Sequence, residues 1–332
     1  MAITVEARLC CPVCRARLNR QPQGFQCLPC KREYRFVFGI LDFRVSLPAG
    51  FDAGGDVELA RLLSEREREL DFPGLLHLYY RHHPEPSESL HKLHLAHLAG
   101  EEQQARAALD DLERRRPFAR DDAVVEVGCG LGQYTAVAAE RVEQAIGVDL
   151  SLAFLVLARK RLGGRGAVVA AEAERLPFRD GSAAAVIAAD VIEHVADQRR
   201  SIEEMGRLLI PGGFLFLSTP NRFSLAPEPH VGLWGIGYLP RRWARRYVRR
   251  RRRVAYDVHL LSVFSLGRLL GGEFPGPFRI RIPDLSPRQI ELFPAWKRAL
   301  AGLYRALRQL PVLRNVFYLL GPFFHVLAVK DR

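Results

Sequence analysis

Four cysteines near the amino terminus have a spacing that predicts metal binding. Cys11 and Cys14 form one Cys-x-x-Cys pair. After twelve intervening residues, Cys27 and Cys30 form a second pair. Each pair presents two thiolates to one ion, and two pairs complete a tetrahedral zinc site. Because four thiolates leave no open coordination position, the pattern predicts a structural zinc ion and not a catalytic one.

A second group of residues that predicts ligand binding is the alternating set Gly128, Gly130 and Gly132, which follows a short apolar run at 123–127. A glycine-rich turn between a strand and a helix lets a ligand approach the backbone, since no Cβ intervenes and positive φ costs little. A dinucleotide site with the pattern Gly-x-Gly-x-x-Gly needs glycine at 133, where this chain has Gln133. A tight connection that binds no ligand is the alternative that the turn alone leaves open.

The stretch from Glu126 to Gly132 resembles the first motif of class I S-adenosylmethionine (SAM) methyltransferases, and later stretches follow in that family's order. A second apolar strand ends at Asp149, and residues 172–178 read Glu-Ala-Glu-Arg-Leu-Pro-Phe after the third strand. Residues 208–215 match the family pattern Leu-Leu-x-Pro-Gly-Gly-x-Leu. The resemblance implies an α/β, Rossmann-like fold with a seven-stranded mixed sheet in the order 3-2-1-4-5-7-6.

The same resemblance implies which residues bind SAM. The two oxygens of Asp149, at the tip of the second strand, match the vicinal diol of a ribose. Glu172 stands where the family has an Asp that accepts from the adenine amino group, and Ala173 would lie against the ring. The predicted cofactor-binding residues are Glu126, Gly128, Gly130, Gly132, Asp149, Leu150, Glu172, Ala173 and Asp190.

The segment after the fourth strand carries three polar groups, Asp190, Glu193 and His194, at positions i, i+3 and i+4. In a helix they share one face, where they would hold a divalent cation or use His194 as a general base. A similar Glu-x-x-Glu-His pattern in the ubiquinone-biosynthesis O-methyltransferases is proposed to bind a metal. A third interpretation is that these groups only orient loops and SAM. The candidate catalytic bases are His194, His230 and His259.

Residues 1–45 are predicted to form a zinc ribbon. The cysteine pairs and the tail with Tyr34, Gly39-Ile40 and Phe43 resemble the small zinc-ribbon family that includes the tRNA-methyltransferase activator subunits. About 40 residues bury little core, so the metal would supply most of the folding free energy of this unit.

The remainder of the chain is predicted to contain two further parts. Residues 46–118 form a linker and a helical cap, with prolines interrupting the helical pattern. Residues 119–332 form the SAM-dependent methyltransferase domain, with an insertion at about 222–262.

The stretch Leu239–Arg253 contains nine arginines, with Trp243 and Tyr247 between them. This pattern is typical of an amphipathic basic helix that lies on an anionic membrane or on RNA phosphates. A merely solvated arginine helix is the alternative. The net charge of +12 permits an acidic partner. The excess of arginine over lysine is also typical of a biased genomic base composition, so charge alone does not identify a partner.

The sequence predicts a cytoplasmic protein, because the first 20 residues lack the apolar core of a signal peptide and no run reaches the roughly 18 apolar residues of a bilayer span. Binding of the arginine stretch to lipid would make it peripheral at the membrane. The predicted activity is direct in-line methyl transfer from SAM to a small-molecule or lipid-like acceptor. The alternatives are methylation of ribosomal or transfer RNA, and a non-catalytic SAM-binding scaffold whose ribbon binds a partner.

Overall fold

A computed structural model describes residues 5–82, 88–276, 278–281, 290, 295–307 and 310–331. The strands are β1 Leu18–Gln21, β2 Gly24–Cys27, β3 Glu33–Val37, β4 Ile40–Asp42, β5 Ala123–Val127, β6 Gln144–Asp149, β7 Ala167–Ala170, β8 Ala183–Ala189, β9 Leu209–Pro220, β10 Arg279–Arg281 and β11 Phe323–Val329. The helices are α1 Ala53–Arg66, α2 Phe72–His82, α3 Glu88–Glu113, α4 Gln133–Ala138, α5 Leu152–Leu162, α6 Gln198–Leu208, α7 Arg241–Arg252, α8 Val263–Gly271, α9 Ala295–Leu307 and α10 Pro311–Leu320.

The centre of the fold is a parallel sheet in the order β7-β6-β5-β8-β9. Its strands are nearly continuous apolar runs, and all five residues of β5 are buried, as expected where helices cover both faces of a sheet. Strand β11 adds antiparallel to β9, and β10 adds antiparallel to β11. Because the central strands are parallel, their carboxyl ends meet at one edge, where ligands bind in open α/β sheets.

The whole sheet differs from the seven-stranded prediction, because it has eleven strands in the order β1-β2-β3-β4-β7-β6-β5-β8-β9-β11-β10. Counted from β5 as the first strand, the seven strands from β7 to β10 follow the order 3-2-1-4-5-7-6. The four additional strands belong to the amino-terminal cysteine-containing segment. The sequence contains no signal for this junction, since strand pairing across more than 120 residues depends on tertiary contacts.

The junction is a short parallel pairing of β4 with β7, in which Leu41 lies opposite Val169. This pairing covers the backbone of β7, which is otherwise an edge strand with unpaired N–H and C=O groups. Beyond the strands, the Cys10 N–H donates to the Pro177 carbonyl at 3.0 Å. The Arg15 side chain forms an ion pair with the buried Glu204 of α6. The amino-terminal segment is therefore packed against the central sheet.

The helices before β5 differ from the prediction in one element. Helix α2 begins at Phe72 although Pro73 was expected to interrupt the helical pattern. Proline is compatible with the first turn of a helix, where its missing N–H has no intrahelical partner, and Asp71 accepts a hydrogen bond from the Gly74 N–H at 2.9 Å. Helices α1 and α2 pack on α5 through a cluster that includes Leu63, Leu75 and Leu155.

Helix α7 follows a loop that packs beneath it. Its buried residues, Ala244 and Val248, join a small apolar cluster with Val231, Ile236 and Tyr256. Two helices, α9 and α10, precede the last strand, and α10 begins at Pro311. Within the described ranges, no helix combines the length and the apolar composition that a membrane span requires.

Candidate functional site

The glycine turn between β5 and α4 adopts backbone angles that favour glycine. Gly128, Gly130 and Gly132 have φ values of 67°, 48° and 73°, in the left-handed region that L-residues with a Cβ rarely adopt. A Cβ on Gly130 would meet no atom within 4 Å, so the space above this residue is open. The buried Glu126 carboxylate accepts hydrogen bonds from the backbone N–H, at 2.6 Å, and the hydroxyl of Thr135, and so fixes the helix that follows the turn.

Asp149 lies beside this turn at the end of β6. Its Oδ2 accepts from the Gly130 N–H at 2.8 Å, and its Oδ1 accepts from the Ser151 N–H at 2.9 Å. Burial raises the pKa of this carboxyl, while the two backbone hydrogen bonds act in the opposite direction. The next residue, Leu150, receives a hydrogen bond on its carbonyl from Arg44 at 3.0 Å. Asp149 is therefore held in position by the turn itself.

Glu172 lies at the end of β7 and is buried. Its Oε1 accepts from the backbone N–H groups of Val45, at 2.7 Å, and Ser46. Its Oε2 is buried and has no hydrogen-bond partner among the described residues. Ala173 packs partly buried against the main core. The sequence does not predict the contact with Val45 and Ser46, because only the β4–β7 pairing brings residues 45 and 46 to this carboxylate.

The segment after β8 touches the glycine turn directly. A Cβ on Gly128 would lie 2.3 Å from Cγ2 of Val191, so glycine is required where these two segments meet. Asp190 adopts a φ of 56°, and its carboxylate accepts from the Ser218 hydroxyl at 2.9 Å. Residues 192–194 form a turn and not the helix on which the shared face of Asp190, Glu193 and His194 depends.

Four side chains form a polar cluster in this region: Glu193, His194, Glu228 and His230. The Nε2 atoms of His194 and His230 lie 2.9 Å apart. Nδ1 of His230 bonds Oε1 of the buried Glu228, whose Oε2 accepts from the Val231 N–H at 3.0 Å. Glu193 is fully buried; its Oε2 accepts from the Thr219 hydroxyl at 2.9 Å, while its Oε1 has no hydrogen-bond partner among the described residues and lies 3.7 Å from Nε2 of His230.

The surroundings of the two histidines shift their pKa values in opposite directions. Burial and the neighbouring His230 lower the pKa of His194 to about 4, although His194 is the most solvent-exposed of the clustered groups. Burial alone would lower the pKa of His230, but the hydrogen bond and charge of Glu228 outweigh burial and raise it. Burial, reinforced by the Asp190 carboxylate, raises the pKa of Glu193 to about 8. Of the two histidines, His230 is therefore the one that holds a proton more readily.

The third candidate base, His259, lies outside this cluster. Its backbone N–H donates to the Glu193 carbonyl at 2.7 Å, but its ring bonds Arg241 and lies 3.5 Å from the Asp257 carboxylate. Burial and the Arg241 charge lower its pKa. Glu228, by contrast, was not predicted from the sequence. The only signal in the sequence was its position two residues before His230. Because i, i+2 spacing in a loop does not by itself predict a contact, that signal was too weak to identify Glu228.

The four cysteines of the amino-terminal pairs come together as the spacing predicts. The Sγ atoms of Cys11, Cys14, Cys27 and Cys30 all lie within 4.8 Å of one another. The sulfur–sulfur distances are 3.5 Å between Cys11 and Cys30 and 3.3 Å between Cys14 and Cys27. A tetrahedral zinc ion with bonds of about 2.3 Å places its sulfurs about 3.8 Å apart, so the donor set and its size are compatible with zinc.

Comparisons with known proteins identify the family of the segment that carries the glycine turn. The family described as "Methyltransferase domain" matches residues 125–217, which contain both the glycine turn and the segment after β8. An uncharacterized methyltransferase from Mycolicibacterium gilvum is 31% identical over 190 residues, which cover 55% of this chain and 73% of the relative. The chain belongs to the class I SAM-dependent methyltransferases.

Two further relatives match shorter parts of this methyltransferase. A probable SAM-dependent methyltransferase from Mycobacterium tuberculosis is 38% identical over 112 residues, covering 34% of this chain and 40% of the relative. A demethylmenaquinone methyltransferase from Thermus thermophilus is 29% identical over 178 residues, covering 52% of this chain and 67% of the relative. The match thus spans only about 40% of the length of the first of these two relatives.

Three features of the site are compatible with SAM as a ligand. The open space at Gly130 admits a ligand to the backbone. The buried Oε2 of Glu172 has no partner among the described residues and so fits a donor such as the adenine amino group. Asp149 presents a carboxylate beside the turn, although each of its oxygens already accepts one backbone hydrogen bond. Since a carboxylate oxygen accepts more than one hydrogen bond, the two ribose hydroxyls remain compatible partners.

Proposed function

We propose that this protein catalyses in-line transfer of a methyl group from SAM to a small-molecule or lipid-like acceptor. The observation that carries the proposal is the contact between Gly128 and Val191, in which a Cβ on the glycine would lie only 2.3 Å from the valine. This contact brings the cofactor half of the site, at the glycine turn, next to the segment that carries His194. An acceptor bound at His194 is then adjacent to the cofactor.

In the proposed SAM site, Asp149 accepts hydrogen bonds from the ribose hydroxyls, and the free oxygen of Glu172 accepts a hydrogen bond from the adenine amino group. Gly130 allows the ligand to approach the backbone. When bound, SAM supplies a methyl group on a sulfonium, whose transfer leaves a neutral thioether. The contribution of the protein is mainly to hold the acceptor in line and to remove its proton.

The cluster at His194 supplies a route for that proton. In the resting state, His230 donates its Nδ1–H to Glu228, so its Nε2 accepts the Nε2–H of His194 across 2.9 Å. Nδ1 of His194 is then an unprotonated base, with no hydrogen-bond partner among the described residues. As the acceptor atom forms its bond to the methyl group, its proton passes to Nδ1 of His194. The Nε2 proton of His194 passes to His230, which becomes an imidazolium next to the Glu228 carboxylate.

This route explains why a histidine whose own pKa is about 4 suits the role of base. A base with so low a pKa holds a proton only weakly by itself. Transfer to His230, whose pKa is raised by Glu228, makes the uptake of the proton favourable. His259 has no part in this route, since its ring faces Arg241 and Asp257.

We also propose that Cys11, Cys14, Cys27 and Cys30 bind a structural zinc ion. The four sulfurs are close enough to share one ion, and a thiolate set of four leaves no position for a substrate. The hydroxyl of Tyr34 lies 3.1 Å from Sγ of Cys11 and would support the site from outside. The ion would stabilise the ribbon and, through β4, the edge of the central sheet.

The acceptor class is tested by labelling. The full chain is incubated with methyl-labelled SAM and with total RNA, a lipid extract and soluble metabolites in separate reactions. Label in the lipid or metabolite fraction supports the proposal, and the match to a demethylmenaquinone methyltransferase favours a lipid-like acceptor. Label in RNA would replace the proposal with RNA methylation, and label in no fraction would favour the scaffold.

Two variants make the labelling assay specific to the site. His194→Ala removes the base and is expected to lower the labelling rate about a hundredfold or more, while SAM binding by calorimetry is retained. Asp149→Ala is expected to abolish calorimetric SAM binding, because it removes the carboxylate beside the turn. Asp121→Ala is the matched control, since its side chain is exposed and its hydrogen bonds to described residues use only its carbonyl. Unchanged SAM binding in Asp149→Ala would refute the SAM site.

A further inference from the structure

Seven of the nine arginines at 241–253 fall into an inner and an outer set with respect to helix α7. Arg241 and Arg245 both pair with Asp257. Arg252 donates to the carbonyls of Val231, at 2.7 Å, and Gly232. These three lie on the flank of the helix next to its buried residues. Their side chains fix the helix on the protein.

The outer set is a stripe formed by Arg242, Arg246 and Arg249 on the helix and by Arg253, the residue that caps its carboxyl end. The spacing of four and three residues keeps the first three on one face of the helix. That face is opposite the buried pair Ala244 and Val248. Within the described part of the chain, none of the four arginines has an acidic side chain at ion-pair distance. The stripe is thus an unneutralised row of positive charge that points away from the protein core.

Aromatic side chains accompany this stripe. Trp243 is 54% exposed, and the guanidinium of Arg242 lies 6.0 Å from its ring centroid. The loop that leads into the helix adds Trp234, 58% exposed, and Tyr238, 50% exposed. Tryptophan and tyrosine next to arginine are typical of the boundary between lipid headgroups and acyl chains.

The surface continues onto aliphatic residues. The Tyr238 hydroxyl donates to the Phe223 carbonyl at 2.6 Å, and the Leu225 N–H donates to the Leu320 carbonyl at the end of α10 at 3.0 Å. Leu225 and, on α10, Leu319 expose their side chains. Aromatic rings beside arginine also stack on RNA bases, but exposed leucines gain nothing from nucleic acid and gain by burial in lipid. The exposed leucines therefore favour a lipid bilayer over RNA as the partner of this surface.

Both ends of α7 contact the acceptor side of the site. Arg252 bonds the carbonyl of Val231, the residue after His230. At the other end, Arg241 bonds the ring of His259, whose N–H donates to the Glu193 carbonyl. Helix α7 is therefore connected at both ends to the segments that carry the His194–His230 pair.

We propose that the outer face of α7, together with Trp243, Trp234, Tyr238 and Leu225, binds an anionic lipid bilayer. The bilayer is the source of a lipid-like acceptor, and this part of the inference rests on the proposed function. Arginine phosphate contacts supply the attraction, and the aromatic and aliphatic side chains enter the interface. The helix lies in the plane of the membrane surface and does not cross it.

The test is sedimentation of the full chain with vesicles of phosphatidylcholine, with and without phosphatidylglycerol. Binding is expected only with the anionic lipid. Each arginine near such a surface contributes about fivefold to partitioning, so Arg242→Gln/Arg246→Gln/Arg249→Gln is expected to weaken binding about a hundredfold. The matched control is Arg114→Gln/Arg120→Gln/Arg199→Gln, which removes the same charge from exposed side chains elsewhere and should keep binding within a few-fold.

The outcomes separate the inference from the proposed function. No binding to anionic vesicles, or an equal loss in both triple variants, would overturn the lipid surface. The lipid surface would also be overturned by a combination of two results: RNA at an equal phosphate concentration displaces the protein from the vesicles, and Trp243→Ala leaves vesicle binding unchanged. Calorimetric SAM binding by the α7 variant should equal that of the unmodified chain. If the unmodified chain binds vesicles but not SAM, the proposed function fails and the surface stands.

Discussion

The Glu172 carboxylate accepts a hydrogen bond from the backbone N–H of Val45 at 2.7 Å. Val45 follows closely after the strand that joins the cysteine-containing ribbon to β7, whereas Glu172 follows closely after β7 itself. One oxygen of this carboxylate is thus held by the ribbon's connection, and the other has no partner among the described residues and can accept from a ligand. The contact links the proposed zinc site to the proposed adenine site through one side chain.

If the four cysteines hold zinc as proposed, its removal is expected to weaken SAM binding as well as to unfold the cysteine-containing segment. Without the ion, β4 loses its support and Glu172 loses the N–H groups that orient it. The loss of a hydrogen bond to a charged group corresponds to about tenfold or more in affinity. Calorimetry of SAM binding before and after chelation measures the effect, with the metal content determined on the same samples.

A cysteine variant tests the same relationship without a chelator. Cys27→Ser is expected to lower both zinc content and SAM affinity. Cys10→Ser is the matched control, because Cys10 is also buried but lies outside the group of four sulfurs. If Cys27→Ser loses its zinc and binds SAM as tightly as the unmodified chain, the ribbon has no influence on the cofactor site.

Glu172→Gln is expected to weaken SAM binding by about tenfold or more while it leaves the ribbon folded. The amide oxygen still accepts from the Val45 N–H, but the amide nitrogen replaces the free acceptor with a donor, which opposes the adenine amino group. Calorimetry gives the affinity, and zinc content together with the melting temperature reports on the ribbon. An unchanged affinity would remove Glu172 from the cofactor site.

The pH dependence of the reaction should report on His230. The route for the proton requires an unprotonated Nε2 on His230, so kcat/KM is expected to rise with pH through a pKa above the ordinary value of a histidine. Glu228→Gln removes the charge that raises this pKa and should shift the rising limb to lower pH. Since the amide oxygen of the substituted side chain still accepts from the Val231 N–H, the loop is expected to stay folded.

The control for this profile is Glu203→Gln, which neutralises a carboxylate on the surface of α6. It should leave the position of the limb unchanged. A rising limb that does not move in Glu228→Gln would show that His230 is not the final proton acceptor, whatever happens to the maximum rate.

Glu193 should make the stability of the fold depend on pH. Its pKa rises on folding from 4.5 to about 8, so the folded state retains a proton that the unfolded state releases. The contribution of Glu193 to the free energy of unfolding is fully present below about pH 4.5 and is lost as the pH rises toward 8. Glu193→Gln keeps an acceptor for the Thr219 hydroxyl and cannot ionise, so it should melt at a higher temperature than the unmodified chain at pH 8.

The difference should shrink at about pH 5, where Glu193 is protonated in the folded state. The expected change between the two conditions is on the order of 2 kcal/mol, since each unit of pKa shift corresponds to about 1.4 kcal/mol and the buried pair with His230 offsets part of it. Thermal unfolding at both pH values measures it. An equal difference in melting temperature at both would show that Glu193 is already ionised in the fold.

The sequence by itself determined the local parts of this protein. Spacing alone identified the four sulfurs, because each Cys-x-x-Cys pair closes over two residues. Alternating glycines predicted a turn with positive φ, and the buried apolar runs predicted the central strands, because those features depend on neighbouring residues. Ser151, directly before α5, likewise acts through a local contact, since its hydroxyl accepts from the Phe154 N–H at 3.2 Å and caps the helix.

Only the tertiary structure decided which distant segments meet. The pairing of Leu41 with Val169, the contact of Glu172 with Val45, and the bond of His194 to His230 each join residues that no periodicity relates. The 192–194 turn also replaced the helix on which a shared face for Asp190 and His194 depended. Such contacts form because buried strands and carboxylates must satisfy their hydrogen bonds, and the partner that satisfies them is fixed by the fold as a whole.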